Sequence, residues 1–348
     1  MIVKNYRKKI VFKGMILNDL LTWCQKENLP SYRASQIYEW LYKHGVNDVN
    51  DMSNISVSIR DKITDSGVLK TLDVEKIDAS EIEETKKILF RTIDNHFIEA
   101  VSMIDGNRHT ICISSQIGCN VNCDFCATAS MGLVRNLMCG EIVDQAITIR
   151  HLSSRPISNV VFMGMGEPFL NYNEVIKAAN ILSNDMGFGL SPKRITISTS
   201  GIVPKIDQFI KDGHKYKLAI SLNATNDETR KKIMPINRNW PIDEVIESAR
   251  RFSKKSSHRV MFEYVLLKDI NDASEDAIRL AKLIKGINCK VNIIPYNETL
   301  GKYKRPANHK IERFIQVLNK HRKNFTILVR WSKGEDINAA CGQLAVNS

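Results

Sequence analysis

From Tyr32 to Tyr42 the chain reads YRASQIYEWLY, and Ile37 and Leu41, with Tyr38 and Tyr42, return at helical spacing to one face. A second short amphipathic piece runs from Val57 to Ile63, so residues 1–75 are predicted to form a small helical domain. The next stretch, KKILFRTIDNHFIEAVSMIDGNRHTICIS, alternates apolar and polar positions around two turn signals, Asp94-Asn95 and Asp105-Gly106. It predicts antiparallel strands that lead into the main domain. Strands are then predicted near 110–114, 158–163, 194–198, 217–222, 259–266 and 289–294, with helices near 140–151, 173–183, 203–212, 241–253, 273–284 and 309–320. Six strand-then-helix units in series imply an α/β protein with parallel strands and crossover helices. A doubly wound sheet and a barrel-like sheet both satisfy this pattern, and periodicity does not choose between them.

Composition narrows the class. A chain of 348 residues suggests about two domains at roughly 150 residues each, and 43% apolar with 25% charged residues allows a sizeable core. Lys and Arg total 50 against 38 acidic residues, a net +12 that favours a polyanionic partner. The flanking Arg and Lys of the helical domain suit nucleic acid, and a solvated helix face explains them equally well. No apolar run approaches the ~18 residues of a membrane span. The start, MIVKNYRKKIVFKGMIL, has scattered charges and no small-residue cleavage site, so no secretory signal is expected. Eight cysteines are too sparse for a disulfide framework, which points to a reducing, cytoplasmic setting.

Five of those cysteines fall within 28 residues. After the first predicted strand of the main domain comes Gly118-Cys119-Asn-Val-Asn-Cys123-Asp-Phe-Cys126, a C-x3-C-x2-C loop. Three thiolates this close can ligate three corners of one iron–sulfur cubane and leave the fourth iron open to a ligand. A structural zinc site normally takes four ligands, usually from two separated pairs, and no second C-x2-C exists here. A zinc loop with a distant fourth ligand such as Cys139, or plain reduced thiols, are the alternatives.

In this setting the loop resembles that of the radical S-adenosylmethionine (SAM) enzymes. The resemblance implies a partial (β/α)6 TIM-like barrel, open on one side, with one [4Fe-4S] cluster held by Cys119, Cys123 and Cys126. Further motifs stand at the carboxyl ends of predicted strands, where ligands bind in such sheets. They are Gly164-Met-Gly166-Glu167-Pro168, Arg194-Ile-Thr-Ile-Ser198-Thr-Ser-Gly201, Ala219-Ile-Ser221-Leu222-Asn223 and Ile293-Ile-Pro-Tyr-Asn297. Asp336-Ile-Asn-Ala-Ala-Cys341-Gly-Gln-Leu follows near the carboxyl terminus. Together with Cys112 these resemble the dual-specificity adenine-C2 RNA methyltransferases (the RlmN type), over nearly the whole chain from about Tyr32 to Leu344. The related C8 methyltransferases (the Cfr type) share the cysteines and are the alternative; they typically carry alanine where this chain has Pro168.

The resemblance implies four segments: a helical accessory domain over 1–75, a β-hairpin linker over 76–108, the radical SAM barrel over 109–300, and a carboxyl-terminal extension over 301–348. It implies that Cys341 takes a methyl group from one SAM and that a second SAM is cleaved at the cluster to a 5′-deoxyadenosyl radical. That radical abstracts hydrogen from the S-methyl group, the carbon adds to C2 of adenine, and Cys112 then releases the product by forming a disulfide with Cys341. Glu99 falls where the family has its proton acceptor. Gly166, Glu167, Ser198, Ser221, Leu222, Asn223 and Asn297 take the cofactor-binding positions. Asn223 departs from the family's usual histidine; an amide replaces one imidazole hydrogen bond but does not titrate near neutrality.

The implied substrates are an adenosine of 23S rRNA (conventionally 2503) and adenosine 37 of certain tRNAs, each of which must leave its stack to react. An electron donor such as flavodoxin and a monomeric enzyme are also expected. Candidate phosphate contacts are Arg230-Lys231-Lys232, Lys254-Lys255 with His258-Arg259, Lys302 with Lys304-Arg305, and Arg322-Lys323.

Overall fold

The computed structural model describes residues 9–299 and 301–346, so most of the charged amino-terminal stretch lies outside the described residues. The amino-terminal unit comprises β1 (Ile10–Val11), α1 (Leu17–Lys26), α2 (Tyr32–Glu39), α3 (Val57–Ser66) and β2 (Gly67–Val68), with β1 and β2 pairing in parallel. The stripe predicted on the second of these helices is real: Ile37, Tyr38, Leu41 and Tyr42 are all buried. The last two lie on a wide turn, Trp40–His44, that stops at Gly45 in the left-handed region.

Three antiparallel strands follow, β3 (Leu72–Ala79), β4 (Thr85–Thr92) and β5 (Phe97–Asp105), and β5 pairs with β6 (Arg108–Cys112). A small hairpin of β7 (Gln116–Gly118) and β8 (Leu133–Asn136) encloses the cysteine loop and a single helical turn, α4 (Ala127–Ser130). From there strands and helices alternate: α5 (Cys139–His151), β9 (Asn159–Phe162), α6 (Tyr172–Ser183), β10 (Ile195–Thr199), α7 (Val203–Lys211) and β11 (Lys217–Ser221). The series continues through α8 (Asp227–Ile233), α9 (Ile242–Lys255), β12 (Val260–Leu266), α10 (Ser274–Leu283), β13 (Cys289–Pro295), α11 (Asn308–Lys320) and β14 (Phe325–Val329). The crossover helices pack by one face, as in α9, which buries Ile242, Val245, Ile246, Ala249 and Phe252.

The ten-stranded sheet runs β14-β13-β12-β11-β10-β9-β6-β5-β4-β3. From β6 onward each parallel strand lies beside its predecessor, with no reversal of order. This resolves the ambiguity of the periodicity, because a doubly wound sheet reverses at a switch point and a barrel does not. The end strands β3 and β14 do not pair, so the barrel stays open. One parallel strand exceeds the six predicted: β14, in the carboxyl-terminal segment, pairs along β13 from Phe325 to Val329.

The amino-terminal unit docks on α5 through a buried ion pair. Lys13 Nζ lies 2.6 Å from Asp144 Oδ1, with both side chains essentially inaccessible. Asp144 Oδ2 accepts the Thr71 N–H (2.9 Å), the Thr71 hydroxyl (2.8 Å) and the Leu72 N–H (3.2 Å). Such a pair persists because its remaining polar atoms are satisfied; removing one partner typically costs about 3–5 kcal/mol. Gly140 permits the approach, since a Cβ there would stand 2.1 Å from the Lys13 carbonyl oxygen. Among the described residues no helix is long and apolar enough to cross a membrane.

Candidate active site

The cysteine loop leaves β7 at Gly118, whose φ of +74° and close contact with the Gly132 carbonyl exclude a side chain. The Cys119 N–H donates to the Gly132 oxygen (2.9 Å), the Cys126 N–H to the Cys123 oxygen (3.0 Å), and the Asp124 N–H to the Ile233 oxygen (3.0 Å). The loop is thus fixed by backbone hydrogen bonds, one of them to the end of α8. All three thiols line one cavity of about 170 Å³ at the carboxyl ends of the parallel strands. Burial pushes Cys119 up to about 12 and raises Cys123 and Cys126 as well, so thiolates here call for a cationic partner such as iron.

Of the other sequence-predicted residues, Gly166, Glu167, Ser198, Ser221, Asn223 and Asn297 join the cysteines around this cavity. Gly166 adopts φ +97° against Gln116, where a Cβ would lie 2.5 Å from the glutamine side chain. Glu167 is aimed by three hydrogen bonds: its N–H donates to Gln116 Oε1 (2.8 Å), and its carboxylate accepts the Ser200 N–H (2.7 Å) and the Phe169 N–H (3.0 Å). Burial raises its carboxyl above the usual range. Asn223 sits at φ +55°, a region asparagine tolerates, and its Oδ1 accepts the Val265 N–H (2.9 Å). The Asn223 side chain therefore ties the segment that follows β11 to β12. Leu222 does not reach the cavity: its side chain is fully buried in the core, and only its backbone is nearby, donating to the Glu263 oxygen (3.0 Å).

Three buried polar atoms on this wall have no partner: Ser200 Oγ, Glu263 Oε2 and Asn297 Oδ1. Orphaned groups of this kind are costly unless a ligand satisfies them. A zwitterionic, nucleoside-bearing ligand beside a thiol-held cluster matches that donor and acceptor set. Among the described residues no three His, Cys, Asp or Glu side chains stand close enough together to share a single metal ion; Cys119, Cys123 and Cys126 meet around the wider cavity instead. Cys139, the alternative zinc ligand, lies buried at the start of α5, where its N–H donates to Glu174 (2.7 Å), away from this cavity. Cys24 and Cys289 are likewise buried in the core.

A second chamber of about 570 Å³ lies inside the barrel. Cys112 lines it and does not line the first cavity, whereas Cys341, Arg330 and Met163 line both. Cys341 therefore stands in the partition, brought to Cys112 across more than two hundred residues of sequence. Its segment is pinned by three hydrogen bonds: Asn297 Nδ2 to the Cys341 oxygen (3.0 Å), the Ala127 N–H to the Gly342 oxygen (2.8 Å) and the Thr128 hydroxyl to the Leu344 oxygen (2.6 Å). All eight cysteines are free thiols. Burial, and secondarily Cys341, pushes the Cys112 thiol up to about 12. Arg330 is raised further above its usual range, first by its nearness to Cys341 and then, against the effect of burial, by Glu263 and Cys112. Sequence reasoning missed Arg330 entirely.

Glu99 lines neither chamber. It is buried on β5 with Lys87 Nζ at 3.3 Å, its Oε2 has no partner, and burial raises its carboxyl. It shares a sheet face with Val101, which is opposite Cys112.

One expected RNA contact is overturned. Arg230 is fully buried, and its guanidinium donates to the carbonyls of Leu222 (3.0 Å), Ser221 (3.1 Å) and Ser200 (2.6 Å) and to Asn237 Oδ1 (3.0 Å). It is an internal strut that holds the ends of β10 and β11 around the cavity. Lys302, Lys304 and Arg305 each have a carboxylate partner, Asp124, Glu298 and Glu335 respectively.

An unreversed series of parallel strands from β6 to β14 with this cysteine loop at its carboxyl edge defines a radical SAM enzyme, and residues 113–281 match the model of the radical SAM superfamily. Membership implies a [4Fe-4S] cluster and SAM. Residues 12–68 match the ribosomal RNA large subunit methyltransferase N-terminal domain. The chain is 40% identical over 339 residues to the dual-specificity RNA methyltransferase RlmN of Geotalea uraniireducens, covering 97% of each chain. It is 42% identical over 329 residues to a probable dual-specificity RNA methyltransferase RlmN of Clostridium botulinum, covering 94% of each. A crystal structure of a radical SAM methyltransferase from Sphaerobacter thermophilus matches at TM-score 0.92 and 40% identity, over 96% of this chain and 99% of that one. The protein belongs to the RlmN family of dual-specificity RNA methyltransferases.

Proposed function

We propose that this enzyme methylates C2 of an adenosine in the peptidyl-transferase centre of 23S rRNA and of adenosine 37 in tRNAs, with Cys341 as carbon carrier and Cys112 as the thiol that frees the product. The observation that carries this reading is the position of Cys341 in the partition between the three-cysteine cavity and the chamber of Cys112. A carrier must meet the methyl donor on one side and the resolving thiol on the other, and no other cysteine lines both spaces.

C2 of adenine carries hydrogen and no lone pair, so polar methyl transfer from a sulfonium is closed to it. The cluster and SAM, when bound, supply the one-electron chemistry that overcomes this, and an external donor of the flavodoxin type supplies the electron. The chain supplies the rest. Cys119, Cys123 and Cys126 hold the cluster. Glu167, Ser198, Ser221 and Asn297 orient SAM, with Gly166 and the Leu222-Asn223 backbone shaping its bed. Arg330 lines both spaces beside Cys341, whose sulfur is the nucleophile that takes the methyl group. Glu99 lines neither chamber but lies on the Cys112 face of the sheet, two residues from Val101, and we assign it as the acceptor for the C2 proton on that placement together with a carboxyl raised by burial. The net positive charge suits phosphate contact.

Anaerobic assay of the reconstituted enzyme with rRNA fragments and tRNA, followed by mass spectrometry of the nucleosides, tests the assignment. The expected product is 2-methyladenosine in both RNAs. Formation of 8-methyladenosine alone would replace this reading with C8 methylation.

A further inference from the structure

The chamber of Cys112 carries polar and charged side chains at the amino ends of the strands, where a closed barrel would be packed with branched apolar ones. Strand register shows why. Thr110 is opposite Asn159, Cys112 and Thr196 are each opposite Val161, Thr196 is opposite Lys217, and Met261 is opposite Lys290. Partners in register share a face, so all of these side chains point inward. The layer nearest the amino ends of the strands thus carries Thr110, Asn159, Thr196, Lys217 and Lys290, with Arg108 at the rim.

Cations dominate that rim. Arg108 and Lys290 line the same chamber as Cys112 and Cys341. Lys217 is their neighbour: its ammonium is pushed down by burial first and then by Lys290, Arg194, Arg108 and Lys193. Asp105, the acidic residue lining this chamber, is occupied by Lys333 at 3.1 Å. Among the described residues none of the five rim cations has a carboxylate within 4.0 Å. Arg108, Lys193 and Arg194 are exposed, and Lys217 and Lys290 are half-buried. The result is a positive mouth leading from solvent toward Cys112.

We infer that this mouth admits a small anionic thiol that reduces the Cys112–Cys341 disulfide left by each turnover. The inference rests on the proposed function, which generates that disulfide. The incoming thiolate attacks Cys112 Sγ, the protein S–S bond breaks, and Cys341 leaves as a thiolate beside Arg330. A second external thiolate attacks the outer sulfur of the mixed disulfide, so an external disulfide departs and Cys112 takes up a proton. Two external thiols are oxidised and one protein disulfide is reduced.

The direction of attack follows from the surroundings. Cys112 lines this chamber and not the cluster cavity, whereas Cys341 stands in the partition between the two, so Cys112 is the sulfur presented to a thiolate entering from the mouth. The cluster cavity does not reach Cys112 and offers no equivalent route.

The test uses the reconstituted enzyme after a single anaerobic turnover on RNA. Three thiols of similar size are compared at equal thiolate concentration: 2-mercaptoethanesulfonate (anionic), 2-mercaptoethanol (neutral) and cysteamine (cationic). Return of the two cysteines is read by alkylation and peptide mass spectrometry. The anionic thiol is expected to react about tenfold faster than the neutral one at low salt and the cationic thiol slowest, with the differences shrinking at high salt. In the Arg108→Gln/Lys290→Gln double variant the anionic advantage should fall to within about twofold, with the neutral rate unchanged. Equal rates for the three thiols, or a variant that slows all of them alike, would overturn the inference. Absence of any disulfide after turnover would overturn the proposed function itself, a separate and distinguishable failure.

Discussion

Cys341→Ala is expected to yield no methylated adenosine in either RNA, a loss of at least about a thousandfold, because a covalent carrier has no substitute once its nucleophile is gone. The rest of the site should survive. Cys341 contributes its carbonyl to Asn297, and that bond belongs to the backbone, so the segment pinned by Asn297, Ala127 and Thr128 keeps its anchors. The variant should therefore melt within a few degrees of the parent and bind SAM. Nucleoside mass spectrometry with a thermal melt checks both points. Normal product from the alanine variant would remove Cys341 from the chemistry.

Cys112→Ala should fail at a different stage. The carbon delivered from Cys341 would remain bonded to both sulfur and adenine, because the thiol that attacks Cys341 Sγ is missing. A stable protein–RNA adduct through Cys341 is expected to approach one equivalent per enzyme in a single turnover, with multiple turnover abolished. Denaturing gel electrophoresis and mass spectrometry of the nuclease-digested adduct read this out. The substitution removes a buried sulfur, and truncating a core side chain costs up to a few kcal/mol, so a melt accompanies the assay. Free methylated RNA at the normal rate would show that Cys112 is a bystander.

Much of this arrangement was readable from residues alone, for physical reasons that differ by element. The parallel strands announced themselves because interior strands are nearly continuous runs of branched residues, and the cysteine loop because its spacing suits few other uses. β14 has the same signature, Phe325-Thr-Ile-Leu-Val329, but it follows the sixth strand–helix unit and, among the described residues, has no crossover helix after it to mark a seventh. The order of the strands, and hence barrel over doubly wound sheet, is a property of pairing that periodicity does not carry.

Arg230 shows how a charge run misleads. Beside Lys231 and Lys232 it reads as part of a basic surface, yet it shares a helix face with Ile233, three residues on, and both are buried. That spacing was the available clue. Arg330 had no comparable clue: it sits just past a strand end, and only tertiary folding sets it beside Cys341. Leu222 lies in the same motif as Ser221 and Asn223, but its side chain is buried in the core while those two line the cavity.

The central claim is that the new carbon passes through Cys341. Enzyme isolated with a trideuterated methyl group on Cys341, then given unlabelled SAM, reductant and RNA for one turnover, tests it most directly. The first equivalent of methyladenosine should carry deuterium while Cys341 loses its label. An unlabelled first product, with the deuterated methyl still on Cys341, would contradict the account.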